Sequence, residues 1–200
     1  LYDYAGVNPQ NGNALWRNEE GLLTENYAEA RRINAGSPEP LWTGGFNTEL
    51  SWKGISLGIQ LEARYGNKVL NQDRSLFEAD GAYGDSNIWK GALNYWKKPG
   101  DTNVLPKPVY NNSSNSSNIS TRYLEDGSYL RIKDITLAYN LPSKWTKKAL
   151  MSGVRIYASA LNLYTFHNMN YWDPEHGTTG ATIISYPMTR SMIVGVDITF

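Results

Sequence analysis

Residues 55–65 read ISLGIQLEARY, with an apolar or aromatic residue at every odd position and a small, polar or charged residue at every even one. This period of two places the two sets of side chains on opposite faces of a β-strand. Eleven residues at ~3.3 Å each span about 36 Å. An ordinary strand has about 5–6 residues, whereas a tilted strand that crosses a bilayer needs about 9–11. The stretch therefore predicts a two-faced strand of membrane-spanning length.

Four other stretches alternate in the same way and predict an antiparallel sheet. They cover residues 44–52, 128–141, 153–166 and 190–200, and residues 1–5 are predicted to be the end of a sixth strand. Lys53-Gly54 predicts a tight hairpin turn between the first two long strands. The alternation slips by one residue near Lys133 and Asp134, which predicts a β-bulge.

The alternation also assigns side chains to the two faces of this sheet. The residues expected to face lipid are Leu57, Ile59, Leu61, Val194, Val196 and Ile198. The residues expected to face inward are Gln60, Glu62 and Asp197. A shift of one residue in register would exchange the two sets.

Short and long connections alternate along the chain. Residues 7–43, 66–127 and 167–189 form the long connections, and residues 53–54 and 142–152 the short ones. In an up-and-down sheet all the long connections leave from one end, which is the layout of outer-membrane barrels with long extracellular loops. Within them, residues 24–32 predict a helix and the polar run 111–118 predicts a mobile loop. The predicted fold class is all-β, an antiparallel transmembrane β-barrel segment.

Composition narrows the function classes. The 200 residues carry 19 basic and 19 acidic side chains, so a nucleic-acid partner is not expected. The absence of cysteine excludes a disulfide framework and thiol catalysis. Tyr and Trp number 14 and 7 against 4 Phe, and these aromatics favour sugar-binding surfaces, protein interfaces and barrel girdles. The chain begins at Leu1 without a signal peptide, so we expect a processed chain or a piece of a larger one.

Several motifs, in order, resemble those of the SusC/RagA family of TonB-linked outer-membrane proteins. Residues 127–142 read GSYLRIKDITLAYNLP, and residues 154–166 supply the following strand with its Arg-x-Tyr and Asn-Leu. The other matching elements are Ala5–Gly12, Gly44–Phe46, Trp52-Lys53, Tyr65–Lys68, Asp173-Pro174-Glu175, Tyr186-Pro187, Arg190 and the terminal Phe200. The resemblance extends over nearly the whole chain.

This resemblance implies an importer of glycans, or of peptides, in the outer membrane of Bacteroidetes-type bacteria. Such proteins have a plug inside a barrel of about 22 strands. They work with a SusD-like surface lipoprotein and draw energy from TonB. Residues 1–200 correspond to the C-terminal portion of the barrel, its last five to six strands, while the plug and the TonB box have no counterpart here. The expected contacts are outer-membrane lipids and the remainder of the same barrel.

No catalytic constellation is found, and no enzyme activity, cofactor or metal is predicted. Glu49 and Glu62 lie on facing strands, but ion pairing in a wet lumen explains them better than glycoside hydrolysis. The spacing of His167 and His176, with Asp173 and Glu175 between them, is not diagnostic of a metal site, and the acid pair is expected to order its loop. Asp80 and Asp85 are potential calcium ligands, but their positions do not fit an EF-hand loop, so a solvated turn is expected.

Two sets of residues are candidates for binding and assembly. The substrate- or partner-binding candidates are Trp89, Tyr95, Trp96, Tyr171 and Trp172. The alternative for these aromatics is that they pack the loops together. Phe200, Ile198 and Val196 are the predicted assembly signal, because the resembled proteins end in a strand that the barrel-inserting machinery recognises.

A soluble carbohydrate-binding β-sandwich is the alternative function. It would account for the aromatic residues and the strands, and it would bury Leu57, Ile59 and Leu61 against a second sheet. Phase partition in detergent separates the two readings.

Overall fold

The computed structural model describes residues 1–84, 87–175, 180–182, 186 and 188–200. The strands are β1 Tyr4–Val7, β2 Ala14–Arg17, β3 Leu23–Thr24, β4 Trp42–Trp52, β5 Ile55–Tyr65, β6 Lys68–Asn71, β7 Leu124–Asp126, β8 Tyr129–Asn140, β9 Gly153–His167, β10 Ala181–Thr182 and β11 Ser191–Thr199. The α-helices are α1 Gln72–Glu78 and α2 Ser143–Thr146. Short 3-10 helices cover Tyr27–Glu29, Lys90–Leu93, Tyr110–Asn112, Thr121–Tyr123 and Lys147–Ala149.

The chain divides into two compact units. The sheet unit comprises Glu39–Asn67, Asp126–Glu175 and Tyr186–Phe200. The insert unit comprises Leu1–Pro38, Lys68–Glu125 and His176–Ser185. The insert unit therefore combines the N-terminal segment with two segments that interrupt the sheet unit along the chain.

The sheet unit contains a five-stranded antiparallel sheet in the order β11-β9-β8-β5-β4. The five long predicted strands are confirmed, each within two residues of its predicted bounds. Lys53 and Gly54 have φ of 46° and 86°, and positive φ at both central residues is what a type I′ hairpin turn requires. Among the described residues, no helix has the length and apolar composition needed to cross a membrane.

The predicted bulge in β8 is confirmed. The register of β8 shifts between Ile132 and Asp134, so that Gln60 lies opposite Asp134 while Leu61 lies opposite Ile132. If the strand ran on without a bulge to absorb this extra residue, the apolar residues of the two halves of β8 would lie on opposite faces. A second irregularity that the alternation does not predict lies in β9, where Asn162 has a φ of 51°.

The two faces of the sheet have opposite chemistry, as predicted. Leu50, Leu57, Leu137, Ala158 and Val194 lie opposite one another in a single row across all five strands. This apolar face is exposed, and Val194 retains 79% of its accessible surface. The polar face presents the intervening residues. An exposed apolar surface of this kind is typical of a membrane or protein interface rather than of a soluble core.

The prediction that residues 1–5 are the end of a sixth long strand is wrong. Strand β1 pairs with β2 in a separate three-stranded sheet, in the order β1-β2-β3. This sheet contributes the buried core of the insert unit, in which Trp16 is inaccessible to solvent. The rings of Tyr4 and Tyr27 make edge contacts with Trp16 at centroid distances of 5.3 and 5.0 Å. Five residues are too few to separate a local strand from a barrel strand by alternation.

The helix predicted for residues 24–32 shortens to the 3-10 turn Tyr27–Glu29. The Asn26 side chain caps this turn by accepting a hydrogen bond from the Ala28 N–H. The chain becomes extended at Ala30, and the Arg31 N–H then donates to the Arg17 carbonyl at 2.8 Å. Backbone pairing with the small sheet therefore overrides the local helical composition.

The polar run 111–118 is folded into local turns, and its mobility stays a prediction. Ser116 is buried, and its hydroxyl donates to Asn112 Oδ1 at 3.0 Å. Asn112 Nδ2 donates to Ser117 Oγ at 2.6 Å. Asn111, Asn112 and Asn115 all have positive φ, which asparagine tolerates better than most residues. The asparagines therefore form a series of hydrogen-bonded turns.

Candidate functional site

A cluster of charged side chains occupies the polar face of the sheet unit; we call it the clamp. Arg131 on β8 is fully buried, and it pairs with Asp173 and, at 2.6 Å, with Glu175. Lys133 Nζ lies 3.0 Å from Glu175 and 3.1 Å from Glu62. The clamp fastens the Asp173-Pro174-Glu175 segment to β8, which agrees with the loop-ordering role expected for the acid pair.

The bulge explains how β8 provides so many polar groups at one place. Because Lys133 is the extra residue, Asp134 is turned onto the polar face opposite Gln60. There its carboxylate accepts hydrogen bonds from the hydroxyls of Thr136 and Ser159, both at 2.8 Å. The bulge thus places the side chains of the consecutive residues Lys133 and Asp134 on the polar face.

Glu62 supports the clamp from the neighbouring strand. It accepts a hydrogen bond from the Tyr129 hydroxyl at 2.7 Å and lies 3.8 Å from Arg64. Glu49 lies on the same face, opposite Gly58. Glu62 therefore makes ion pairs, as predicted in preference to a role in glycoside hydrolysis.

Tyr171 and Trp172 line a cleft of about 490 Å³ in the sheet unit, together with Arg131, His167 and Arg190. The cleft lies beside residues 162–167 of β9, because the pairing of β11 with β9 begins only at Leu161. The structure therefore brings these two candidate aromatics to a concave surface next to the clamp.

The other three candidate aromatics lie in the insert unit, where two of them pack its segments together. Trp96 donates from Nε1 to the Pro9 carbonyl at 3.1 Å, and its ring covers Gly12 so closely that a Cβ there would lie 2.6 Å away. The ring of Trp89 stacks on Phe77 with centroids 4.9 Å apart. Tyr95 lines a cavity with a volume of about 240 Å³.

The residues considered as metal ligands do not form a metal site in the described part of the chain. His176 and Asp85 lie outside the described residues. Within the described ranges, no group of three or more His, Asp or Glu side chains is arranged to hold a metal ion. The solvated turn expected at Asp80 is wrong, because this carboxylate is buried and paired with Arg122.

Asp80 belongs to a buried ion-pair network in the insert unit that sequence reasoning missed. Arg74 lies 2.8 Å from Glu78 and 2.7 Å from Glu125, and Arg122 lies 3.1 Å from Glu78. Burial opposes the charge of Arg122, but the hydrogen bond and the charge of Asp80 outweigh it and raise the pKa of Arg122. Burial raises the pKa of nearby Tyr4 to about 12.

The predicted assembly residues occupy the end of β11. Val196 and Ile198 lie on the apolar face and are 56% and 50% exposed, and Phe200 follows the last residue of the strand. Their exposure leaves them accessible to a partner, and their role in assembly stays a prediction.

No family model matches the chain. The chain is 30% identical over 182 residues to "TonB-dependent receptor P3" of Formosa agariphila, which covers 86% of this chain and 17% of that relative. It is 27% identical over 197 residues to "TonB-dependent receptor P26" of the same organism, covering 92% and 19%. The chain thus spans less than a fifth of the length of these curated relatives.

Solved structures agree with these relatives. The described fold matches a chain in the structure of the RagAB peptide transporter with a TM-score of 0.82 and 29% identity, covering 100% of this chain and 22% of that one. The RagAB peptide importer in its closed-closed state gives the same TM-score at 30% identity.

Proposed function

We propose that this chain, a segment of the SusC/RagA family of TonB-dependent receptors, forms part of the outer-membrane wall of a nutrient importer. One observation carries the proposal, namely that the five-stranded sheet has one exposed apolar face and one charged face. Its homologues are receptors and transporters rather than enzymes, which agrees with the lack of a catalytic constellation.

The physics of the bilayer supports this placement. Lipid offers no hydrogen bonds, so a spanning strand must pair its backbone with neighbouring strands on both sides. Strands β5, β8 and β9 each have a paired strand on both sides, and β11 accompanies β9 as far as Leu161. The three strands are 11, 12 and 15 residues long, at least the length that a tilted spanning strand needs. Strands β4 and β11 are the edges of the sheet. We propose that the remainder of the same barrel pairs with these edges.

In this arrangement the apolar face contacts outer-membrane lipid and the clamp faces the lumen. The cargo is a glycan or a peptide, a SusD-like lipoprotein is the surface partner, and TonB supplies energy through a region of the receptor outside this segment. The homology to transporters supports this assignment, and the RagAB neighbours are named for peptides.

The proposal is tested in a host that carries the full-length receptor. We expect the receptor in the outer-membrane fraction, and we expect it to enter the detergent phase on phase partition. Uptake of a labelled oligopeptide pool or of a labelled oligosaccharide pool falls when either the receptor or TonB is deleted, and the pool that is affected identifies the cargo. A receptor that stays in the aqueous phase, with uptake of both pools unchanged by its deletion, contradicts the proposal.

A further inference from the structure

The cleft in the sheet unit is concave and lined by cationic and aromatic side chains, features that the role of a barrel wall does not explain. It is lined by Tyr171, Trp172 and Arg190 above the part of β9 that extends past β11. Its volume of about 490 Å³ lies in the range of small-molecule sites. The inference drawn from it rests on the proposed importer function, because it concerns the cargo.

The clamp beneath the cleft is electrically balanced, while the cleft itself retains a cation. Arg64, Arg131 and Lys133 match the three carboxylates of Glu62, Asp173 and Glu175. Arg190 is exposed and has no hydrogen-bond or ion-pair partner among the described residues. The uncompensated charge of the cleft is therefore positive.

A second donor at the cleft also lacks an acceptor. Arg131 lines the cleft and is fully buried, and its two terminal nitrogens are taken by Asp173 and Glu175. Its Nε is buried without a hydrogen-bond partner in the described structure. A buried donor left without an acceptor costs free energy, so the position of this one at the cleft calls for an explanation.

An aromatic surface stands beside these donors in a conformation that local energetics do not favour. Tyr171 is 59% exposed and has a φ of 69°, which a bulky residue rarely adopts. The clamp fixes the backbone two residues further on, at Asp173. Backbone strain that the surrounding structure maintains is concentrated at binding sites.

We propose that this cleft binds a carboxylate-bearing unit of the cargo. Arg190 pairs with the carboxylate, because guanidinium and carboxylate match as two parallel hydrogen bonds. Tyr171 packs against the apolar side chain or sugar face next to that carboxylate. The chemistry has two sources, the carboxyl terminus of a peptide and the uronic acid of a glycan. In both cases a neutral derivative of the same size binds less tightly.

The test uses the full-length receptor purified from outer membranes of its host with any co-purifying partner. The probes are the pentapeptide AAAAF and its C-terminal amide, and trigalacturonate and its methyl ester. We expect one of the two acids to bind about tenfold more tightly than its neutral derivative, the difference expected for a charge-assisted pair. In Arg190→Gln that preference disappears, and in Tyr171→Ala both forms bind more weakly.

Lys144→Gln is the matched control, since it removes one exposed positive charge near the other end of the same sheet. It should retain the full preference. Preference for the peptide acid identifies a peptide source, and preference for the uronate identifies an acidic glycan. Equal binding of acid and neutral derivative, binding of neither acid, or an undiminished preference in Arg190→Gln overturns the inference.

The failure of this inference differs from the failure of the proposed function. Arg190→Gln should reach the outer membrane at the wild-type level. A receptor that is in the outer membrane and imports in a TonB-dependent way, yet ignores the carboxylate, refutes only the assignment of the cleft. A receptor outside the outer membrane refutes the proposed function itself.

Discussion

The sheet unit and the insert unit distribute polarity in opposite ways. In the sheet unit, Val194 and Leu50 are 79% and 61% exposed while Arg131 is fully buried. In the insert unit, Trp16 is inaccessible and is packed between Tyr4 and Tyr27, as in an ordinary water-soluble core. One chain therefore contains a part suited to an apolar solvent and a part suited to water.

The two units also compensate buried charge in the same way. Arg131 is paired with two carboxylates in the sheet unit, and Arg122 is paired with two in the insert unit. A buried guanidinium is tolerated only with such partners. The units thus differ in where apolar side chains go, and agree in how charges are compensated.

The largest expected effect is the loss of a charge from the insert unit network. Arg122→Ala leaves Asp80 buried without its cation and leaves Glu78 with Arg74 alone, which should cost about 3–5 kcal/mol. The change is measured by chemical unfolding of the full-length receptor, with proteolytic cleavage within residues 68–125 as the signal that the insert unit has unfolded. Arg17→Ala removes an exposed arginine of the same unit and should cost less than about 0.5 kcal/mol. Equal losses of stability in Arg122→Ala and Arg17→Ala would mean that the ion pairs of Arg122 do not stabilise the insert unit.

The next effect separates the two faces of the sheet. Ile59→Arg puts a charge near the middle of β5 on the apolar face and should cost about 2–4 kcal/mol in lipid. Gln60→Arg, one residue along on the polar face, should be nearly neutral. Folding in lipid vesicles measures both changes. If the two variants are equally stable, the apolar face does not contact lipid.

The clamp should be weaker than the insert network because its carboxylates are partly exposed. Asp173→Asn removes one of the two charges that pair with Arg131 and should cost about 1.5–3 kcal/mol. We also expect faster proteolysis near residues 168–175. Glu49→Gln changes an exposed carboxylate on the same face and serves as the control. Unchanged proteolysis in Asp173→Asn would mean that the ion pairs do not hold the segment.

Phe200 tests assembly rather than stability. Its deletion in the full-length receptor should lower the amount that reaches the outer membrane, because Phe200, which follows β11, belongs to the predicted assembly signal with Ile198 and Val196. Cargo affinity of the receptors that do assemble should stay the same. Surface labelling and a binding assay measure the two quantities, and a wild-type surface level would leave Phe200 as one exposed aromatic among others.

The smallest expected effect is a pH dependence in the insert unit. Hydrogen bonds from Asn13, Asn11 and Asn8 hold the pKa of Glu25 below its usual 4.5, against the opposing effect of burial. A lowered pKa in the folded state means that the stabilisation is present above pH 4.5 and is lost as the pH falls through the folded value. Because Glu25 is largely exposed, Glu25→Gln should cost only a few tenths of a kcal/mol at pH 6. The difference from wild type should shrink as the pH falls below 4.5 and vanish below the folded-state pKa of Glu25, and a difference that does not shrink with falling pH would exclude this carboxylate as its source.

The sheet unit was predictable because its information is local. Alternation over residues 55–65 fixes both the strand and its faces, and the slip at Lys133 reveals the bulge. The insert unit was not predictable, because its ion-pair network joins residues that are far apart in the sequence. Arg74 and Glu125, for example, are separated by 51 positions. No periodic pattern connects such partners.

The candidate site was predictable only in part. An excess of Tyr and Trp singles out Tyr171 and Trp172, which line the cleft, but it also selects Trp89 and Trp96, which pack against Phe77 and Gly12. Composition cannot separate these two uses of an aromatic side chain. The clamp depends on the register of β8, which is fixed by pairing with β5 and β9 rather than by any motif of charged residues.

The central claim is that the apolar face of β5 contacts lipid while its polar face contacts water. Because this segment contains no cysteine, single cysteines can be introduced at each position from 57 to 62 of the full-length receptor, with any cysteine elsewhere replaced. In native outer membranes, a water-soluble thiol reagent should label positions 58, 60 and 62, and a fluorophore at positions 57, 59 and 61 should be quenched by a lipid-borne nitroxide. Equal labelling and equal quenching at odd and even positions would contradict the account.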